Sequence, residues 1–244
     1  EQGNLQQLFA SSEAKGCAEA IMHIEIDRCS RAGELQRVSD LVQSVLARVR
    51  AAVSDFGAMR EQVEARIKAL QQRKKSFFPA DERREVVDFL HWLLDDHFTF
   101  LGYECFAINE GLDQGHLGLD SAQSLGVLRL SPIDDRVDDM PEKVIEYLRR
   151  PLLLSFAKAS VMSQVHRPAY PDYVSLREVD AKGDVICEHC FMGLYSSKVY
   201  SSNVASIPWL RKKVGNIVVQ GIDRVAKGRF NLPSSLMLLG VPDY

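Results

Sequence analysis

Absences narrow this 244-residue sequence first. No apolar run approaches the roughly 20 residues needed to cross a bilayer, and the polar start Glu1-Gln2-Gly3-Asn4 offers no signal-peptide core. No Gly-x-Gly-x-x-Gly follows a strand candidate, so the dinucleotide fingerprint is missing. A Walker-type Gly-Lys-Ser/Thr loop and a Gly-x-Ser-x-Gly elbow are missing too. The six histidines, His23, His91, His97, His116, His166 and His189, form no His-Glu-x-x-His spacing. Neither charge sign dominates: 30 Lys and Arg stand against 33 Asp and Glu, interspersed, for a net charge of −3. That balance argues against nucleic-acid and anionic-membrane partners. Five cysteines, an odd number without framework spacing, suit a reducing compartment, and the expected location is the cytoplasm. A chain that starts on Glu1 is expected to be part of a larger polypeptide.

What remains is an ordinary globular composition, 46% hydrophobic and 26% charged. Ala20, Met22, Ile24 and Ile26 alternate with Ile21, His23, Glu25 and Asp27, the period of a half-buried strand, with Asn4 to Ala10 as its hairpin partner. From Glu34 the period turns helical. Leu35, Val38, Val42, Val45, Val49, Ala52, Phe56, Met59, Val63 and Leu70 fall on one heptad stripe, spoiled only by Arg66. Ser54-Asp55-Phe56-Gly57 breaks it into two helices, with Ser or Asp able to cap the second, which ends near Arg73-Lys74-Lys75. A third helix, capped by Asp81, carries Val86, Val87, Leu90, Leu93 and Leu94.

Strand candidates follow at Phe98 to Ile108, Gly126 to Leu130, Leu152 to Lys158, Tyr173 to Val179 and Val185 to Tyr195. A long polar loop with Gly111, Gly115 and Gly118 separates the first two, and a helix opened by Pro141 separates the second from the third. Asp180-Ala181-Lys182-Gly183-Asp184 reads as a hairpin turn. Pro208 opens a last helix.

Cys187-Glu188-His189-Cys190 is the sharpest candidate for chemistry, as a redox couple or half a zinc site. It lies within a strand candidate, where positions three apart point to opposite faces. Cys187 and Cys190 are therefore expected neither to bond each other nor to bind a metal. The tract His166-Arg167-Pro168-Ala169-Tyr170-Pro171-Asp172-Tyr173 is dense in polar and aromatic groups. Its prolines favour a stiff connector. The competing reading makes His166, Arg167, Tyr170 and Tyr173, with Tyr195, candidates for a ligand pocket or an interdomain contact.

Several stretches resemble the N-terminal region of the large bacterial NAD-specific glutamate dehydrogenases. They are Met22-His23-Ile24-Glu25-Ile26-Asp27-Arg28, Asp95-Asp96-His97-Phe98-Thr99-Phe100-Leu101-Gly102-Tyr103, Val165-His166-Arg167-Pro168 through Asp172-Tyr173, Phe191-Met192-Gly193-Leu194-Tyr195-Ser196-Ser197 and Pro208-Trp209-Leu210-Arg211-Lys212-Lys213-Val214. The resemblance runs in order from about Ala18 to Val214 and departs after Gly215, where this chain has Phe230-Asn231-Leu232-Pro233 and Pro242-Asp243-Tyr244.

It implies an α+β chain: a partial ACT-like hairpin and helix (1–54), a helical linker (55–78), a PAS-like five-stranded antiparallel sheet with flanking helices (79–224) and a tail (225–244). It further implies a parent enzyme that deaminates L-glutamate oxidatively to 2-oxoglutarate and ammonia, with NAD bound elsewhere in that parent. No catalytic, cofactor or metal residue is carried over to this chain. The implied partners are a downstream dehydrogenase domain, further copies of the chain and a small-metabolite effector. A purely structural PAS-like oligomerisation module is the competing expectation.

Overall fold

The computed structural model describes residues 22–73, 75–107, 118–119, 123–130 and 142–212. The chain divides into two compact units, residues 1–41 and 42–244. In the first, 22–30 form no regular element, and Met22, Ile24 and Ile26 are 66%, 69% and 54% exposed. The strand expected there is not seen over its described half, and its partner, Asn4 to Ala10, lies outside the described residues. Alternation alone does not make a strand: without a ladder the backbone groups go to water.

Helix α1 runs Glu34–Ser54 and α2 Phe56–Gln72, separated at Asp55 as the sequence break predicts. Asp55 does not cap α2. Its Oδ2 instead accepts a 2.8 Å hydrogen bond from the Gly126 N–H and pairs with Arg129 at 3.0 Å. Helix α3 spans Ala80–Trp92 behind Pro79, so Asp81 sits inside its first turn rather than before it, paired with Lys212 at 2.8 Å.

A wide turn, Leu93–His97, swings α3 into strand β1, Phe98–Ala107. Asp96 takes the left-handed conformation there (φ 55°), which Asp tolerates better than most residues. The His97 ring closes the turn, stacked 4.4 Å from Trp92 with Nδ1 2.8 Å from the Trp92 carbonyl.

The remaining strands are β2 (Gly118–Leu119), β3 (Leu125–Gly126), β4 (Leu154–Lys158), β5 (Asp172–Val179) and β6 (Val185–Tyr195), with α4 (Glu142–Arg149) before β4 and a one-turn α5 (Ser197–Tyr200) after β6. All pairs are antiparallel, in the order β2-β1-β6-β5-β4. β3 shares the outer side of β1 with β2, so the segments make a five-position open sheet with flanking helices.

Two strand boundaries differ from the sequence reading. Gly118–Leu119, expected within a loop, pairs with Ala107 and Phe106. Gly126 to Leu130, expected as a strand, pairs for one residue and then coils into a 3-10 turn at Val127–Leu130. Gly126 causes this, with φ 64° and a Cα so close to the Leu101 carbonyl that no Cβ fits. The β5–β6 hairpin matches its expected turn: Asp180 Oδ1 accepts from the N–H groups of Lys182 (2.7 Å) and Asp184 (2.9 Å). Near the end of the described chain Trp209 turns with φ 68° and residues 210–212 are helical; the rest of the helix expected from Pro208 lies outside the described residues.

One face of the sheet is covered by helix. Met59, Val63, Ile67 and Leu70 of α2, in the stretch read as a linker, share a cluster with Val86, Phe89 and Leu90 of α3 and with Phe98, Phe100, Tyr103, Cys105, Val174, Leu176 and Phe191 of the sheet. The other face gathers a smaller cluster of Leu101, Leu128, Val165, Met192 and Leu194, with Ala52 of α1. A bulge in β1 between Phe100 and Gly102 makes this division possible. It moves the core-facing side from even-numbered Phe98 and Phe100 to odd-numbered Tyr103 and Cys105.

Candidate functional site

The bulge has a chemical result. With β1 shifted, Cys105 stands directly opposite His189 in the β1–β6 ladder, and Ala107 opposite Cys187. Cys187 and His189 are two apart on β6 and so share a face. Both sulfurs and the imidazole therefore converge beneath α2. The Cys105 and Cys187 Sγ atoms are 2.8 Å apart and both cysteines are free; Cys187 Sγ is 3.6 Å from His189 Nε2. Cys190 falls on the opposite face, where Ser175 Oγ–H donates to its sulfur at 3.4 Å. The separation of Cys187 from Cys190 expected from strand geometry is what the structure has. The convergence of Cys187 with Cys105 needed the sheet register and was not read from the sequence.

The shell around the imidazole is polar and buried. Nδ1 lies 2.8 Å from the Tyr103 hydroxyl, and the two rings are stacked with 9° between their planes. Nε2 faces Glu178 Oε1 at 3.2 Å and Arg66 Nη1 at 2.5 Å, while Arg66 also donates to Glu178 at 2.7 Å. Nε2 can serve only one of them: neutral, it accepts from Arg66; protonated, it donates to Glu178. Burial pulls the His189 proton affinity down, but the hydrogen bonds to Cys105 and Glu178 outweigh it and leave the ring more basic than usual. The Glu178 carboxyl is correspondingly held below its ordinary range, chiefly by the hydrogen bond from His189. The Cys187 hydrogen bond draws the Cys105 thiol below the usual thiol range, and the same bond and burial push Cys187 up. Burial, with the nearby Cys105, raises the Tyr103 hydroxyl.

This arrangement does not build a nucleophile–base–orienter chain. Such a chain needs the thiol on one imidazole nitrogen and the carboxylate on the other. Here Cys187 and Glu178 both lie toward Nε2, while Tyr103 holds Nδ1. What the residues do offer is a compact donor set: one ligand atom each from Cys105, Cys187 and His189, all within 4.8 Å of one another.

Arg66 and Glu178 also line a cavity of about 320 Å³, with Arg73, Gln72, Ser76, Leu70, Phe78 and Leu153 around it. It opens where β4 stops: the β4–β5 ladder ends at Leu154 opposite Leu176, leaving Glu178 beyond it. A second cavity, of about 500 Å³, lies on the other face, walled by Arg48, Leu128, Val165, Tyr173, Met192 and the 159–164 loop.

The five residues singled out in the sequence do not meet in one place. His166 is exposed with φ 69°, and Tyr170 is half exposed. Arg167 Nη2 donates to the Tyr195 carbonyl at 2.7 Å, tying the 159–171 connector to the end of β6. Burial raises the Tyr195 hydroxyl, with Asp172 adding to it, and the Tyr195 ring packs against Phe98. Tyr173 borders the second cavity.

No family model matches the chain. Its sequence is 44% identical over 220 residues to a protein of Pseudomonas aeruginosa named NAD-specific glutamate dehydrogenase. It is 38% identical over 221 residues to one of the same name from Halomonas elongata, and 29% identical over 196 residues to one from Mycobacterium tuberculosis. The first two alignments take in 88% of this chain but span only 14% of the relative's length. The resemblance read from the sequence therefore holds: most of this chain matches a short segment of large NAD-specific glutamate dehydrogenases.

Proposed function

We propose that this chain is a non-catalytic regulatory and assembly segment, N-terminal in a large NAD-dependent glutamate dehydrogenase. The alignment carries the reading: 88% of the chain matches proteins of that name while spanning 14% of their length. The parent's oxidative deamination of L-glutamate to 2-oxoglutarate and ammonia is assigned to a downstream domain. The architecture supports this placement, because nucleotides in open α/β sheets bind at the carboxyl ends of parallel strands, and this sheet is antiparallel.

The antiparallel order of three strand segments, a helix and three further strands supports a PAS-like sheet, and the first 54 residues are assigned to a partial ACT-like unit. The segment works in the cytoplasm and joins copies of the chain, without nucleic acid or membrane as partners. Its exposed Leu35, Leu41 and Val42 on α1 supply apolar surface for such contacts. The cavities beside Arg66 and beside Tyr173 give room for a small-metabolite effector. A PAS-like module that only holds subunits together is the second reading, favoured by an aromatic core filled by its own side chains.

Two measurements test the proposal. Calorimetry on the isolated chain is expected to show no saturable NAD binding. Deleting the segment from the parent enzyme is expected to leave glutamate turnover measurable while changing the response to effectors or the subunit number. Saturable NAD binding by the chain would overturn the non-catalytic reading. An intact effector response and assembly state after deletion would overturn the regulatory and assembly one.

A further inference from the structure

We propose that Cys105, Cys187 and His189, with Glu178 as fourth ligand, bind one divalent ion of the zinc class beneath α2. Four observations carry it. The donor atoms of the two cysteines and the histidine already lie within 4.8 Å of one another; Glu178, 3.2 Å from His189 but outside that set, must turn toward the sulfurs. Metal–N of about 2.0–2.1 Å and metal–S of about 2.3 Å in a tetrahedron put nitrogen and sulfur about 3.5 Å apart, and nitrogen and carboxylate oxygen about 3.4 Å apart. Cys187 Sγ and Glu178 Oε1 stand 3.6 and 3.2 Å from His189 Nε2. The sulfurs, at 2.8 Å, must part by about 1 Å, within reach of side-chain rotation.

The imidazole is set as ligating histidines are. Its Nδ1 is engaged by the Tyr103 hydroxyl, which fixes the ring and turns Nε2 toward Cys187 and Glu178. A cation also already occupies the spot: Arg66 Nη1 is within 2.5 Å of Nε2 and 2.7 Å of Glu178. Two thiolates and a carboxylate would carry three negative charges against the ion's two positive ones. Arg66, drawn back from Nε2 but still beside Glu178, supplies the balance. The route in is the cavity that Arg66 and Glu178 line. On binding, the thiol protons leave to solvent together with the proton that His189 Nε2 carries when it donates to Glu178, and two metal–sulfur, one metal–nitrogen and one metal–oxygen bonds form with no change of oxidation state. Cys190, on the far face of the sheet, takes no part.

The test uses the full 244-residue chain, reduced, stripped with chelator and titrated with Zn²⁺ against a chromophoric competitor, and separately with Co²⁺. One equivalent of Zn²⁺ is expected, and the Co²⁺ form is expected to show thiolate-to-metal charge transfer with tetrahedral ligand-field bands. Cys187→Ser and Cys105→Ser, checked for folding by circular dichroism, are expected to lose tenfold or more in affinity. Cys190→Ser is expected to keep it, and Tyr103→Phe to lose about 10–100-fold. The Co²⁺ spectrum of the unaltered chain decides the matter even where a serine variant does not fold. No stoichiometric uptake by the reduced chain, or a Cys190→Ser loss equal to that of Cys187→Ser, overturns the proposal. So does a reduced chain that takes no metal but forms a Cys105–Cys187 disulfide with a hydroperoxide, which would make the pair a redox couple instead.

Discussion

The two faces of β6 are filled by different means. Toward α2 the strand presents Cys187, His189 and Phe191, and the space is closed by the aromatic cluster of Phe98, Phe100 and Tyr103 beneath two helices. On the other face Glu188 lies among polar groups. Its carboxylate pairs at 3.1 Å with Arg177, whose side chain is fully buried. Arg177 also donates to the Tyr147 and Arg150 carbonyls at 2.9 Å and sits 4.7 Å over the Tyr147 ring, so one guanidinium ties α4 to the sheet beside Leu148, which packs on the apolar core. A helix that packs on apolar side chains tolerates small losses. A buried charge pair does not, because removing either partner strands the other in a medium that cannot solvate it.

The largest expected effect breaks the polar side of that comparison. Glu188→Ala should cost about 3–5 kcal/mol, because Arg177 is left as an unpaired buried charge. The double change Arg177→Met with Glu188→Leu should recover most of it. Urea unfolding measures both, and a double variant no more stable than Glu188→Ala would show that the pair does more than neutralise itself.

On the helix-covered side Leu90→Ala, at a position with no exposed surface, should cost about 2–5 kcal/mol through the lost contacts and the cavity left behind. Val161→Ser, 72% exposed on the connector, should stay within about 0.5 kcal/mol. Thermal melts of the two give the contrast. Equal losses would mean that Val161 is covered in the folded protein.

Tyr103→Phe probes the boundary between the two chemistries. The ring keeps its place among Phe100, Phe191 and Cys105, but His189 Nδ1 loses its hydroxyl partner inside the core, at a cost of about 1–2 kcal/mol. A stabilised variant would instead show that the hydroxyl is a burden to the core.

The legible parts of the sequence were those set by local chemistry. Asp180 to Asp184 carried its own turn bonds, and the break at Ser54-Asp55 was written in residues that end helices. The donor cluster was not legible, because Cys105 and Cys187 are 82 positions apart and meet only through the β1–β6 register. That register turns on a bulge at Leu101, for which the run Phe98 to Tyr103 gives no local sign. Asp55 misled in the same way: a good capping residue by type, it spends its carboxylate on Gly126 and Arg129, far along the chain. The heptad stripe showed which residues are apolar but not which are covered, since Met59 and Val63 are fully buried and Leu35 is 65% exposed.

The smallest expected effect separates charge from packing at a third place, where α3 holds the end of the described chain. Glu85 is buried on α3 and accepts from the Trp209 N–H at 2.8 Å and from Arg211 at 2.7 and 2.8 Å. The Arg211 hydrogen bond, aided by the Trp209 N–H, holds the Glu85 carboxyl below its ordinary value of 4.5 against the opposing effect of burial. A carboxyl with a lowered folded value stabilises the fold fully above its unfolded value, and that contribution fades as pH falls through the folded one. Arg211 is 41% exposed, so solvent screens the pair and the contribution should be about 1 kcal/mol. Glu85→Gln keeps the shape and an acceptor for Trp209 but removes the charge. Urea midpoints of the two proteins should therefore differ at pH 7 and draw together as pH falls below 4.5. A gap of equal size at pH 7 and in strong acid would place the role of Glu85 in its packing rather than in its charge.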